Sequence, residues 1–375
     1  MFEQLTRSRN MPIGLDLGTS CVRMIQFAAA GDGLKVSAAG RYDLSTDVEV
    51  NSPQRWAELV TAIRKLTASA PFTGRQVVVS LPESMVSYKN VRLPQMPPDE
   101  MAKAVEFEAA ERFGAEASSL MLQHLVAGQV NVGEQVRSEV IAMAVTNPAL
   151  EQVMGVLAEC DLDPVAIDVA PTSLARSLAR SHQAEQVRVL VDVGYSSSKV
   201  LILCGNIIRF YKDLDIAGRQ INQALADHLK ISPSDAAELR RRHMLGKLSD
   251  DDADSKLFGS SRRQDVEQAL TSATRGVLED LAREIGLCQR YHSVTFRGAR
   301  SAELTLSGGE AYDPLIASTI AEKLELQVDL ADPLAGVNID GHEVLTERPG
   351  TLPDWAAVTG LALRLAPATQ IRGAA

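Results

Sequence analysis

The chain has 375 residues, 45% of them hydrophobic and 23% charged, which is the balance of a globular protein and excludes a disordered, collagen-like or membrane-embedded chain. At roughly 150 residues per domain the length predicts two or three domains. With 38 Lys and Arg against 48 Asp and Glu the net charge is −10, which disfavours broad contact with phosphate backbones or anionic lipid, so nucleic acid is not an expected partner.

In chain order, residues 1–10 lack an apolar stretch long enough for a signal peptide and are expected to form a short tail. Gly14-Leu15-Asp16-Leu17-Gly18-Thr19-Ser20-Cys21-Val22-Arg23-Met24 reads as strand, tight turn, strand. An amphipathic helix follows around Trp56. Next come a strand at Val77–Leu81, a Pro-marked loop at Leu93–Pro98, a helix at Asp99–Phe113 and strands around Gln123–Val130 and Ser138–Val145, a small unit able to form its own layer. Leu190-Val191-Asp192-Val193-Gly194-Tyr195-Ser196-Ser197-Ser198-Lys199-Val200 then repeats the first motif, matching Asp192 to Asp16, Gly194 to Gly18, Ser196 to Ser20 and Lys199 to Arg23.

Asp215-Ile216-Ala217-Gly218-Arg219-Gln220 leads into an amphipathic helix, Gln220–Leu229. Ser232-Pro233-Ser234-Asp235 has the signature of a helix start, and that helix carries Glu238 with Arg241 and Arg242 three and four residues on. The polar loop Lys247–Arg263 holds Asp250, Asp251, Asp252 and Asp254 without the alternation of a calcium loop, so it is read as solvated. A strand at Glu303–Leu306 ends in the turn Ser307-Gly308-Gly309-Glu310, followed by a helix at Pro314–Leu324. Trp355–Ala368 is broken by Gly360 and Arg364 and is too short to span a membrane.

The repeated motif has a chemistry. Glycine two residues after an acid permits a tight turn and close backbone approach, and the hydroxyls and N–H groups of the bend can cradle an anion. The Asp at the strand end can face a divalent cation, commonly through water because Mg²⁺ sheds its hydration reluctantly. Two such hairpins are expected to grip a phosphate chain. Cys21, Cys160, Cys204 and Cys288 lack metal-site spacing, which suits a reducing compartment, and the six histidines show no paired spacing for a metal or a nucleophile.

Two Asp-x-Gly hairpins, a strand-Gly-Gly turn and the helices between them resemble the actin-like ATPase superfamily. Within it the chain is most similar to the PilM family of type IV pilus assembly proteins, relatives of the cell-division protein FtsA, over nearly the whole chain from Ile13 to Leu365. The stretches that carry the resemblance are Ile13–Ser20, Pro94–Phe113 with its Ala104–Ala109 core, Ala217–Ile221 and Ala357–Arg364. The resemblance implies an α/β, ribonuclease H-like fold of two lobes with duplicated mixed-sheet cores and an inserted α+β subdomain. Lobe one is expected at 11–76, 147–183 and 355–375, the insert at 77–146, and lobe two at 187–354 with a helical portion at about 219–293.

It further implies ATP and Mg²⁺ as ligands. Asp16, Gly18, Thr19 and Ser20 look like the first phosphate motif, Asp192, Gly194, Ser196 and Ser197 like the second, and Ser307, Gly308, Gly309 and Glu310 like the adenosine motif. Gly218 and Arg219 stand where the superfamily lines the nucleotide, and Glu238, Arg241 and Arg242 on a ribose- and adenine-facing helix, with a solvated ion pair as the alternative. Asp16 and Asp192 are the expected Mg²⁺-facing groups. Relatives place a carboxylate or amide before the Pro of the connecting segment to orient the attacking water; here that place holds Ala170. An alanine cannot do this, so hydrolysis is expected to be slow at most unless Asp168 reaches in.

The implied role is a cytoplasmic ATP-binding assembly protein of the pilus inner-membrane platform, recruited to the membrane by binding the N-terminal tail of a PilN-like membrane protein between lobe one and the insert. Other platform proteins and motor ATPases are further candidate partners. A small-molecule kinase of the same superfamily is the enzymatic alternative. An FtsA-like scaffold would need a basic amphipathic C-terminal helix, which residues 366–375 do not offer.

Overall fold

The computed structural model describes residues 10–31, 33–114, 117–179, 186–246, 263–298, 300–348 and 350–366. The expectations for the N-terminal tail, most of the loop at 247–263 and the C-terminal end lie outside them. The chain divides into two compact units, one of residues 1–185, 204–209 and 332–375, the other of 186–203 and 210–331.

The first unit is built on a five-stranded sheet of β1 (Ile13–Leu17), β2 (Cys21–Ala30), β3 (Gly33–Asp43), β4 (Gln76–Ser80) and β8 (Asp163–Asp168), in the order β3-β2-β1-β4-β8. β1 runs antiparallel to β2 and parallel to β4. Helix α1 (Pro53–Ser69) starts on Ser52, whose side chain accepts from the Arg55 N–H at 3.2 Å, with proline in its first turn. Its Leu59, Ile63 and Leu66 pack into the core with Leu15, Met24, Val77 and Val79. Helix α3 (Asn147–Glu159), capped by Thr146, packs its Val153, Val156 and Leu157 into the same core.

The inserted layer differs from expectation at its start. Val77–Val79 are wholly buried and lie in β4 between β1 and β8, so that strand belongs to the large sheet. Three consecutive buried valines fit a central strand covered on both faces. The insert proper is a three-stranded sheet in the order β5-β7-β6, made of β5 (Val86–Pro94), β6 (Leu120–Val132) and β7 (Gln135–Thr146), with helix α2 (Pro98–Phe113) packed on it through Met101 and Val105.

The second unit repeats the first sheet. β9 (Val187–Val193), β10 (Ser198–Cys204), β11 (Ile207–Leu214), β12 (Glu303–Ser307) and β13 (Gln327–Leu330) stand in the order β11-β10-β9-β12-β13, which matches β3-β2-β1-β4-β8 position by position. This duplication is what the actin-like resemblance implies. Helices α5 (Gly218–Leu229), α6 (Pro233–Met244), α7 (Arg263–Phe296) and α8 (Pro314–Leu324) belong to this unit.

The chain returns to the first unit at Asp332, earlier than the expected 355: Val36 N–H donates to the Asn338 carbonyl at 2.9 Å. A short helix, α9 (Glu343–Thr346), precedes α10 (Ala356–Ala362), which lies against β1 and against α4 (Ala170–Leu178). That fit needs two glycines. A Cβ on Gly14 would lie 2.6 Å from the Val358 carbonyl oxygen, and one on Gly360 only 1.8 Å from that of Ser173.

Candidate functional site

Asp16 and Asp192 are the penultimate residues of β1 and β9. In each unit the neighbouring parallel strand ends in a serine, Ser80 on β4 and Ser307 on β12, whose hydroxyl donates to the carboxylate at 2.9 Å. Ser307, expected as part of the adenosine turn, is thus wholly buried and engaged with Asp192, its register partner across the sheet.

The basic residue of the second strand is engaged differently in the two units. Lys199 Nζ approaches Asp192 Oδ2 at 3.3 Å. Its counterpart Arg23, opposite Asp16 across the β1–β2 pair, instead donates through Nη2 to Asp354 at 2.9 Å, with Arg41 Nη1 3.6 Å from the same oxygen. The Arg23 Nε is buried without a hydrogen-bond partner.

The bends themselves explain some of their glycines. A Cβ on Gly18 would meet the Cys21 carbonyl oxygen at 2.6 Å, and one on Gly194 the Ser197 carbonyl oxygen at 2.9 Å, so turn tightness alone requires both. Thr19, Ser20, Ser196 and Ser197 complete the bends and are partly exposed. The N–H groups of Gly218 and Arg219 donate to the carbonyls of Gly194 and Tyr195 at 3.0 and 2.8 Å, which ties the start of α5 to the second hairpin. Beside them Gln220 Oε1 is buried without a hydrogen-bond partner. Gly308, at φ +93°, is pressed against the Val193 backbone, whereas Gly309 is exposed and a Cβ there would meet no atom within 4 Å.

Arg240, which sequence reasoning missed, organises this region. Its buried guanidinium donates from Nη2 to Glu310 at 2.7 Å and to Asp313 at 2.8 Å, from Nε to Asp313 at 3.2 Å, and from Nη1 to Asn222 at 2.7 Å. Burial pulls its pKa down, but Glu310 and Asp313 outweigh this and hold it above the ordinary arginine value. Asp313 also caps α8 by accepting from the Leu315 N–H at 3.0 Å, where the helix dipole favours its negative charge. The signal available in the sequence was periodicity, since Arg240 falls on the α6 face of buried Ala236 and Leu239. Glu238 pairs with Arg241 at 2.7 Å and with Arg242 at 3.1 Å, with side chains 33–57% exposed, as a solvated ion pair would be.

Asp168 does not stand ready as a base. Its buried carboxylate accepts from the Val169 N–H at 2.9 Å, the Thr172 hydroxyl and Arg176 Nη1 at 3.0 Å, and forms an ion pair with Arg364, whose Nη1 lies 2.9 Å from Oδ2. Between them these contacts engage both carboxylate oxygens. Arg176 also donates to the Gly360 carbonyl at 2.6 Å, so the group pins α4 to α10. Ala170 is the first residue of α4, ahead of Pro171.

Among the described residues no group of three or more His, Cys, Asp or Glu side chains is arranged to hold a metal ion, and no helix is long and apolar enough to cross a membrane. Mg²⁺ carried by phosphates needs no such cage, since one or two carboxylates acting through water suffice.

A family model described as type IV pilus assembly protein PilM matches residues 14–366. Comparison with curated proteins gives no match. Among solved structures, the chain is similar to a PilM-PilN type IV pilus biogenesis complex, with 23% identity over 94% of this chain and 98% of the other and a TM-score of 0.75. It is also similar to the ethanolamine utilization protein EutJ from Carboxydothermus hydrogenoformans, at 15% identity, 94% and 89% coverage and a TM-score of 0.55.

Proposed function

The chain belongs to the PilM family of type IV pilus assembly proteins, and on that premise we propose that it is a nucleotide-binding adaptor on the cytoplasmic face of the inner-membrane pilus platform. The family match across residues 14–366 carries this reading. The adaptor captures the N-terminal cytoplasmic tail of a PilN-like membrane protein and is thereby recruited to the membrane. Support for a partner surface comes from the insert. Phe107, Met121 and Val126 there are 79%, 50% and 49% exposed, and β6 is an edge strand able to pair with an extended peptide.

ATP with Mg²⁺ is the proposed ligand. The residues fit in part: each hairpin ends in a serine-held carboxylate, Gln220 offers an unused buried acceptor, and Gly309 leaves backbone accessible. Asp16 and Asp192 would face the Mg²⁺ through water, with Thr19, Ser20, Ser196 and Ser197 toward the phosphates. Bound nucleotide would add order rather than rapid turnover. Ala170 cannot position water, and Asp168 is engaged by three hydrogen bonds and an ion pair with Arg364. The same contacts weigh against Asp168 as the base that the kinase alternative needs.

The test is a peptide copying the partner's cytoplasmic tail, added to the full chain with and without Mg-ATP. At about 100 times its dissociation constant it should stabilise the native state by about 2.7 kcal/mol, read as a raised melting temperature, and co-elute on gel filtration. Neither effect in either condition removes the adaptor role.

A further inference from the structure

At Gly218 the space that a Cβ would take is filled by another side chain of the same unit. A Cβ at this position would lie 2.3 Å from Glu310 Oε1, 2.5 Å from its Cδ and 3.0 Å from its Cγ. The carboxyl end of Glu310 therefore lies against the backbone at the start of α5. It is held there from its other oxygen, Oε2, by Arg240 Nη2 at 2.7 Å, and Arg240 is fixed in turn by Asp313 and Asn222. The Glu310 and Arg240 side chains are only 14% and 3% exposed, so the contact is largely shielded from water.

Both bulk and charge set this arrangement against a phosphate ligand. One guanidinium faces two carboxylates, which leaves the Arg240–Glu310–Asp313 cluster with a net negative charge beside a turn whose neighbour Gly309 is open. The contact can also be undone at limited cost. If Glu310 turns away, Arg240 keeps both Asp313 and Asn222, so one charge-assisted hydrogen bond is lost and no buried charge is stranded.

We propose that Glu310 is the residue that sets nucleotide affinity in this unit. Latched by Arg240 over Gly218, it fills space that a nucleoside phosphate needs, and it must swing aside before such a ligand can lie against Gly218 and Gly309. This rests on the nucleotide reading above. It reverses the role expected for Glu310, from a ligand-lining residue to one that the ligand displaces.

Isothermal titration calorimetry of the full chain with Mg-ATP decides it, comparing wild type with Glu310→Ala. The Ala variant should bind about tenfold or more tightly than wild type, while its melting temperature without nucleotide stays close to that of wild type because Arg240 remains paired. Wild type that binds as tightly as the variant, or more tightly, overturns the latch and leaves nucleotide binding standing. If neither protein binds Mg-ATP at millimolar concentration, nucleotide binding itself falls and takes the latch with it. Should Glu310→Ala not fold, Glu310→Ser makes the same comparison with a side chain too short to reach Gly218, where any gain over wild type supports the latch and no gain overturns it.

Discussion

Ser307 donates its hydroxyl proton to Asp192 Oδ1 at 2.9 Å, and Ser80 does the same for Asp16 Oδ1 in the other unit. Each serine is the last residue of the strand beside the one carrying the Asp, so sheet register sets the direction of the carboxylate before any ligand arrives. Ser307→Ala should destabilise the protein by about 1–3 kcal/mol in urea unfolding, because Ser307 is wholly buried and Asp192 loses an internal donor. Ser80→Ala should cost about 1 kcal/mol, since Asp16 is partly exposed and water can replace the hydroxyl. In calorimetry Asp16→Ala and Asp192→Ala should both weaken Mg-ATP binding; affinity unchanged in both contradicts the phosphate role of the hairpins.

Asp168 should prove structural. Removing it takes three hydrogen bonds from Val169, Thr172 and Arg176 and the ion pair with Arg364, but Arg176 and Arg364 are 19% and 36% exposed and recover some hydration. Asp168→Ala is therefore expected to cost about 2–4 kcal/mol of unfolding free energy, below the upper range for a fully buried pair. Turnover of ATP by wild type should stay well under about 1 s⁻¹, and Asp168→Asn should leave it unaltered. Wild-type hydrolysis faster than that, abolished by Asn without loss of stability, would restore Asp168 as the base.

Which parts of this are legible in the chain follows from the range of the interactions. The hairpins are readable because Asp, Gly and hydroxyl residues lie within five positions, and the cap of α6 because Ser232 and Asp235 are three apart. Ser80 is not, since its partner Asp16 is 64 residues away and nothing in Val77-Val78-Val79-Ser80 marks the last residue. The same run reads as part of the insert because a strand flanked by prolines looks like a boundary, and β5 stays hidden behind those prolines although its buried and exposed residues partly alternate. Arg240 is masked by its neighbours: in Arg240-Arg241-Arg242 all three read as solvent charges, and only the buried face of α6 separates the first from the others.

The Glu238 cluster supplies a pH test. Hydrogen bonds from Arg241, and then from Arg242, hold the Glu238 carboxyl below its ordinary pKa. A carboxylate whose pKa is depressed on folding stabilises above its unfolded value and loses that contribution as pH falls through the folded one. The side chain is 42% exposed, so screening limits the effect to about 0.3–0.5 kcal/mol. Glu238→Gln should therefore be slightly less stable than wild type at pH 7, with the difference shrinking as the pH is lowered below about 4. A difference that persists undiminished at acid pH means that Glu238 acts by packing instead of charge.

Two helical glycines should respond to alanine with opposite signs. Gly155 lies inside α3, exposed, with nothing within 4 Å of a Cβ, so Gly155→Ala restricts the unfolded chain and improves helix propensity at no steric cost. It should stabilise by about 0.5–1 kcal/mol. Gly360 lies inside α10, where a Cβ would stand 1.8 Å from the Ser173 carbonyl oxygen and 2.5 Å from its carbon. Both obstacles are backbone, so no rotamer change relieves them, and moving α10 outward would also strain the Arg176 bond to the Gly360 carbonyl. Gly360→Ala should therefore cost about 3 kcal/mol or more in urea unfolding, at the upper end for overpacking. A Gly360→Ala protein as stable as wild type would show that α10 does not seat against α4.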